Sequence, residues 1–287
     1  MFEVILSLKK SVNQPWMLFF AGLLYSSFSF LLVKFIFSRD VVLSRYSGLL
    51  VVMFSVLFCI IFVYSSMKLD EKENLLDKTD KKAFFHDWRI LSMFVWLFLG
   101  FVIGFCLWQI AFPNSFDFNA QIETYCVLNN PLSYSDCLNS YSLNQTMQGI
   151  ESIPKGNFLG IFTNNMTVAL FILLFSLIFG AGSIFIIIWN ASIISSVIVL
   201  SIKSQVTRLP ISLSRFLIHG IPEIASYFLF AMAGGMTSFA LVSFFKGKLP
   251  KENMLIVVRR ASYLAVIGII LLMLSAIVEV FLINRFF

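Results

Sequence analysis

Apolar residues run through this chain in long windows, not in the alternation of a half-buried strand or the narrow stripe of a soluble helix. Windows 16–37, 47–67, 90–112, 168–189 and 262–283 each supply about the 20 apolar residues that one crossing of a hydrocarbon core requires. Each predicts a spanning helix. Window 16–37 is too long for the apolar part of a signal peptide and lacks a small-residue cleavage site, so it is expected to stay as an anchor. Segment 68–89 mixes acids with bases and predicts a short solvated helix. Segment 113–163 holds Pro131, Pro154 and many Asn and Ser residues with no sustained period, and predicts a loop outside the membrane.

Simple span counting fails between residues 190 and 245. Stretch 191–204 is apolar but short. Its Ser192, Ser195, Ser196 and Lys203 fall near one stripe, opposite Ile193, Ile194, Val197 and Ile198. That pattern predicts an interfacial or re-entrant helix. Stretch 213–245 is too long for one straight span and carries Pro222 and Gly234-Gly235 inside it. Because 168–189 is expected to run inward, a single span at 213–245 would put Lys246, Lys248, Lys251, Arg259 and Arg260 outside. A broken, re-entrant pair of half-helices removes that conflict, provided the irregular backbone is buried in protein or lines a wet cavity. The expected fold is therefore an all-α polytopic membrane bundle with about five full spans plus broken or re-entrant half-helices around 190–245. Its parts are an N-terminal transmembrane hairpin (1–67), a charged cytoplasmic connector (68–89) and a core membrane domain (90–287) with external loop 113–163.

Composition agrees: 59% of residues are hydrophobic and 13% charged, against about 25% charged in soluble domains. The net charge of +6 does not point to nucleic acid, because the bases lie between the apolar windows, where the positive-inside rule expects them. Lys68, Lys72, Lys78, Lys81, Lys82 and Arg89 precede the third window, whereas 113–163 holds only Lys155. The first segment is expected in the cytoplasm and the second outside, with the N-terminus and its Lys9 and Lys10 inside. Arg39 and Arg45 oppose this weakly. The expected location is the cell membrane, crossed several times.

Cys59 and Cys106 lie in apolar windows and behave as small hydrophobes. Cys126 and Cys137 lie in the external loop and are a candidate disulfide. The loop has no histidine to complete a metal site with them. Asn144-Gln145-Thr146 is a candidate glycosylation sequon.

The strongest chemical statement is His219-Gly220-Ile221-Pro222-Glu223, set within apolar sequence. An intramembrane charge costs about 2.5–3.5 kcal/mol on insertion scales. Glu223 must therefore be paired, hydrated or protonated. His219 and Glu223 share a helix face, with Tyr227 one turn on. Glu279 is the second intramembrane acid, expected to reach the surface, pair with Arg285 or join His219 or Asn190. Asn190 is placed to bond backbone groups freed at a helix junction. Gly180, Gly182, Gly234 and Gly235 permit close helix approach, and Gly220 with Pro222 loosens the helix. No catalytic motif is present, and zinc catalysis needs three protein ligands, so no enzyme activity, cofactor or metal is expected. The polar cluster reads as a structural contact or, alternatively, as a proton or ion path.

Residues from about 160 to 285 resemble the stage II sporulation protein M family of integral membrane proteins. The matching pieces are Asn164-Asn165 with Val168-Ala169, Phe179-Gly180-Ala181-Gly182, Asn190, His219 to Glu223, residues 231–235, and Ser275-Ala276-Ile277-Val278-Glu279. The resemblance implies a non-enzymatic scaffold or membrane-remodelling protein. Its expected partners are the lipid bilayer, other membrane or envelope proteins, and a second copy of the chain. A small transporter is the alternative.

Overall fold

The computed structural model describes residues 14–37, 40, 42–74, 80–112, 118–129, 158–179, 183–204 and 209–286. Among these the chain forms helices and turns, with no strand. The helices are α1 (Met17–Ile36), α2 (Ser47–Asn74), α3 (Asp80–Ala111), α4 (Asn119–Asn129), α5 (Phe158–Phe179), α6 (Ile184–Ser204), α7 (Leu209–Phe245) and α8 (Lys251–Phe286). Six of them, all but α4 and α6, contain a segment long and apolar enough to cross a membrane. The all-α polytopic bundle is thus the architecture observed.

Two helices form the centre. The apolar windows of α3 and α7 are each 61% buried, against 22% for those of α5 and α8, so the latter pair is peripheral. Helix α1 lies tightly on α3, because a Cβ on Gly22 would sit 2.5 Å from the backbone oxygen of Leu97. Phe30 stacks on Trp108 at 5.1 Å and lies 6.1 Å from Phe118, joining α1 and α3 to the segment that leads into α4. Buried serines bond to their own helix: Ser29 to the Tyr25 carbonyl and Ser55 to that of Val51, at 2.7 and 2.8 Å. Back-bonding of this kind satisfies a hydroxyl where no water is available.

Three expectations are corrected here. Helix α7 runs unbroken for 37 residues with Pro222 inside it, so Pro222 and Gly234-Gly235 do not divide it into re-entrant halves. A membrane helix tolerates proline when neighbouring helices and hydroxyl side chains satisfy the freed backbone groups. The carbonyl that loses its donor is that of Ile218, four residues before Pro222, and on the same turn the Ser275 hydroxyl donates to the neighbouring His219 carbonyl at 2.8 Å. Second, 168–189 is not one span, since α5 ends at Phe179 and α6 begins at Ile184. Third, the supposed short helix at 191–204 is the larger part of α6, which has 21 residues. Its polar stripe does not lie at an interface, because Ser192, Ser195 and Ser196 are fully buried against the bundle.

Candidate functional site

One group of intramembrane polar residues lies along the antiparallel contact of α7 and α8. The Ser226 hydroxyl donates to the Gly268 carbonyl at 2.9 Å, and Ser275 donates to His219 two turns away on α7. Both serines are fully buried. These two bonds fix the register. The approach between them is close, since a Cβ on Gly268 would meet the Phe230 ring at 2.8 Å.

Glu223 is half-buried on this seam. The phenol of Tyr227, itself buried, donates to Glu223 Oε1 at 2.8 Å. Helical spacing delivers that pair, four residues being about one turn. Glu279 of α8 lies close enough to Glu223 for their charges to interact. His219 is half-buried and offers its backbone oxygen to α8. Sequence pattern and structure therefore place His219, Glu223, Tyr227 and Glu279 along one seam.

Asn190 stands apart from that seam. Its amide donates to the Ile186 carbonyl at 2.8 Å, inside an uninterrupted α6 and not at a helix junction. Gly234 faces α5, where a Cβ would sit 2.6 Å from Ser176 Cβ and 2.7 Å from the Leu173 oxygen. Gly220 and Gly235 are buried within α7. Gly180, Gly182, Cys137 and Asn144 lie outside the described residues. Cys126 on α4 is completely buried, and among the described residues the free thiols are Cys59 and Cys106. Among the described residues no group of three or more His, Cys, Asp or Glu side chains is placed to hold a metal ion.

A second polar seam went unread in the sequence. Gln109 at the end of α3 donates to Ser195 Oγ at 2.9 Å. Gln121 on α4 donates to the Gly48 carbonyl at 3.0 Å and to Ser192 Oγ at 3.2 Å. Gln121 is wholly buried, and its Oε1 has no hydrogen-bond partner. The serine stripe of α6 is therefore the receiving face for two glutamines, and α4 is tied down over α2 and α6. The available signal was serine at i, i+3 and i+4 beside isolated amides at the edge of apolar windows. Beside this seam, burial pushes the Glu123 carboxyl above its ordinary range, opposed by the Arg45 charge.

A model of the family described as stage II sporulation protein M matches residues 48–282. The match takes in α2 and the 68–89 connector as well as the region carrying the residue resemblance. No curated protein and no solved structure matches the chain.

Proposed function

The chain belongs to the stage II sporulation protein M family, and we propose that it is a non-enzymatic scaffold that reshapes the bilayer around itself in the cell membrane. The observation carrying this reading is the unequal length of its apolar helices. The crossing stretches of α1 and α5 have 20 and 21 residues, whereas that of α7 has 28. At 1.5 Å per residue the short pair spans about 30 Å and α7 about 42 Å. A bilayer meeting both must thicken, or α7 must tilt, and each response bends the lipid locally. Hydrogen bonds between α7 and α8 at two levels support a hairpin stiff enough to impose its length.

The topology that fits has seven crossings. The apolar part of α6, Ile184–Leu200, falls short of the other six, at the lower end of the roughly 17–25 residues that a crossing takes, and it counts as a short span. Counting it as a span keeps the N-terminus and 68–89 in the cytoplasm and 113–163 outside. It also brings Lys246, Lys248, Lys251, Arg259 and Arg260 to the cytoplasm without any re-entrant segment. With Cys59 and Cys106 free, Cys126 is assigned to pair with Cys137 in the external loop, where Asn144 is the candidate acceptor for glycan. Other envelope proteins and a second copy are the proposed partners.

The proximity of Glu223 and Glu279 favours one alternative, an ion or proton pathway along the same seam. The remodelling reading is tested by cryo-electron imaging of vesicles reconstituted with the protein. Thickened or bent bilayer at each particle is expected. Flat bilayer of uniform thickness around the particles would remove the proposal.

A further inference from the structure

The face that α8 turns away from the bundle carries one charge inside an apolar stripe. Exposed residues recur at three- and four-residue spacing, from Leu255 and Ile256 through Arg259 to Tyr263, Ile267 and Phe281. Leu255 and Ile256 are 52% and 51% exposed and Ile267 is 48% exposed, so apolar surface lies on both sides of Arg259. By helical rise Arg259 is about 33 Å from Phe281 and about 12 Å from Lys251. A hydrocarbon core is about 30 Å thick. With Phe281 near one edge, Arg259 stands at the other, where lipid phosphates begin. Lys246, Lys248 and Lys251, all exposed at the turn, stand on the water side of those phosphates.

The protein supplies no countercharge at this depth. The Ser226–Gly268 and His219–Ser275 bonds set Arg259 level with Gly235 of α7, and α8 packs chiefly on α7 and α5. No acid occurs in 224–245 of α7, in 158–179 of α5 or in 253–278 of α8. The nearest acid on α8, Glu252, is about 10 Å away along the axis. A guanidinium stays charged and offers phosphate a planar fork of donors, and leaving it in hydrocarbon without a counterion is costly. The anions within its reach are the phosphates of the bilayer.

Tyr263 adds a second donor. It lies four residues on, on the same face, and helical side chains tilt toward the N-terminus, which brings its phenol toward Arg259 and the headgroups. It is 64% exposed. Ser262 is not a third donor, because its hydroxyl is spent on the Val258 carbonyl at 3.0 Å. The turn lysines decide the class of lipid. A choline or ethanolamine headgroup would press its ammonium against them, whereas an uncharged headgroup such as glycerol would not. We infer that Arg259 and Tyr263 bind the phosphodiester of an anionic phospholipid in the protein's own leaflet at the hairpin turn. This goes beyond the remodelling reading and rests on none of its helix lengths.

The purified full chain is mixed in detergent with phosphatidylglycerol or phosphatidylcholine, and native mass spectrometry counts the lipid retained. The wild type is expected to keep one more phosphatidylglycerol than phosphatidylcholine. Arg259→Gln should weaken that retention by more than about tenfold, Tyr263→Phe by about threefold, and Ser262→Ala not at all. Neutralising the turn with Lys246→Gln, Lys248→Gln and Lys251→Gln together should narrow the preference between the two lipids while a phospholipid is still held. Should Arg259→Gln melt below the wild type, Arg259→Lys and Tyr263→Phe carry the test, since each keeps the fold and should weaken retention. Equal retention of both lipids by the wild type, retention unchanged in the Arg259 and Tyr263 variants, or displacement of the lipid by inorganic phosphate would overturn the inference. The last result would mean a site for free phosphate.

Discussion

Tyr227 donates its phenolic hydrogen to Glu223 Oε1 across 2.8 Å, one turn apart on the same helix. The carboxyl group is thus met by a neutral donor from its own helix. If that contact is structural, Glu223→Gln keeps an acceptor for the phenol and should change stability by less than about 1 kcal/mol. Glu223→Leu leaves the buried Tyr227 hydroxyl without that acceptor and should cost about 1–3 kcal/mol. Thermal melting of the detergent-solubilised protein separates the two. Equal losses would contradict a hydrogen-bonding role.

The packing of α5 on α7 gives a second expectation. At Gly234 a methyl group would sit 2.6 Å from Ser176 Cβ and 2.7 Å from the Leu173 oxygen, and the latter atom is backbone. Gly234→Ala must push the helices apart and should lower stability by about 1–3 kcal/mol. Gly160→Ala, where nothing lies within 4 Å, should cost nothing measurable in the same melting assay.

Much of this was legible in the sequence because membrane helices announce themselves by length and apolarity. The seam residues His219, Glu223 and Glu279 stood out as rare charges in apolar windows, and the helical period brought Tyr227 to Glu223. What misled was local grammar. Pro222 and Gly234-Gly235 signal a break in water, but Ser275 serves the backbone at His219 and Gly234 is where α5 packs. The serine stripe of α6 read as a face toward water. Its partners Gln109 and Gln121 lie 86 and 71 residues away, and no local period can reveal contacts at that separation.

The pH response of α4 follows from Glu123. Burial raises its carboxyl in the folded protein, and Arg45 only opposes the effect. A raised folded value favours the protonated form. The group's contribution to stability is therefore full below the ordinary glutamate value and is lost as pH rises through the folded one. Glu123→Gln should melt slightly higher than wild type at neutral pH, with the difference vanishing in acid below the ordinary glutamate range. A difference independent of pH would contradict the assignment.

Topology is checked with single cysteines in a cysteine-free protein on intact cells, probed with an impermeant thiol reagent. Positions 142 and 205 should label from outside, and positions 74 and 248 only after permeabilisation. Position 205 is the discriminating one, because α6 brings it outside only if α6 crosses. In the wild type, unreduced peptides should carry Cys126 joined to Cys137. Two alkylatable thiols there would dismiss the pairing.

The claim that the α7–α8 seam is a sealed structural contact and not a conduit is tested most directly by ion flux. Wild type and Glu223→Gln are reconstituted side by side in liposomes carrying a pH or potential dye. A scaffold predicts no flux above empty vesicles from either protein, with both remaining folded. Flux from the wild type that Glu223→Gln abolishes would contradict the account.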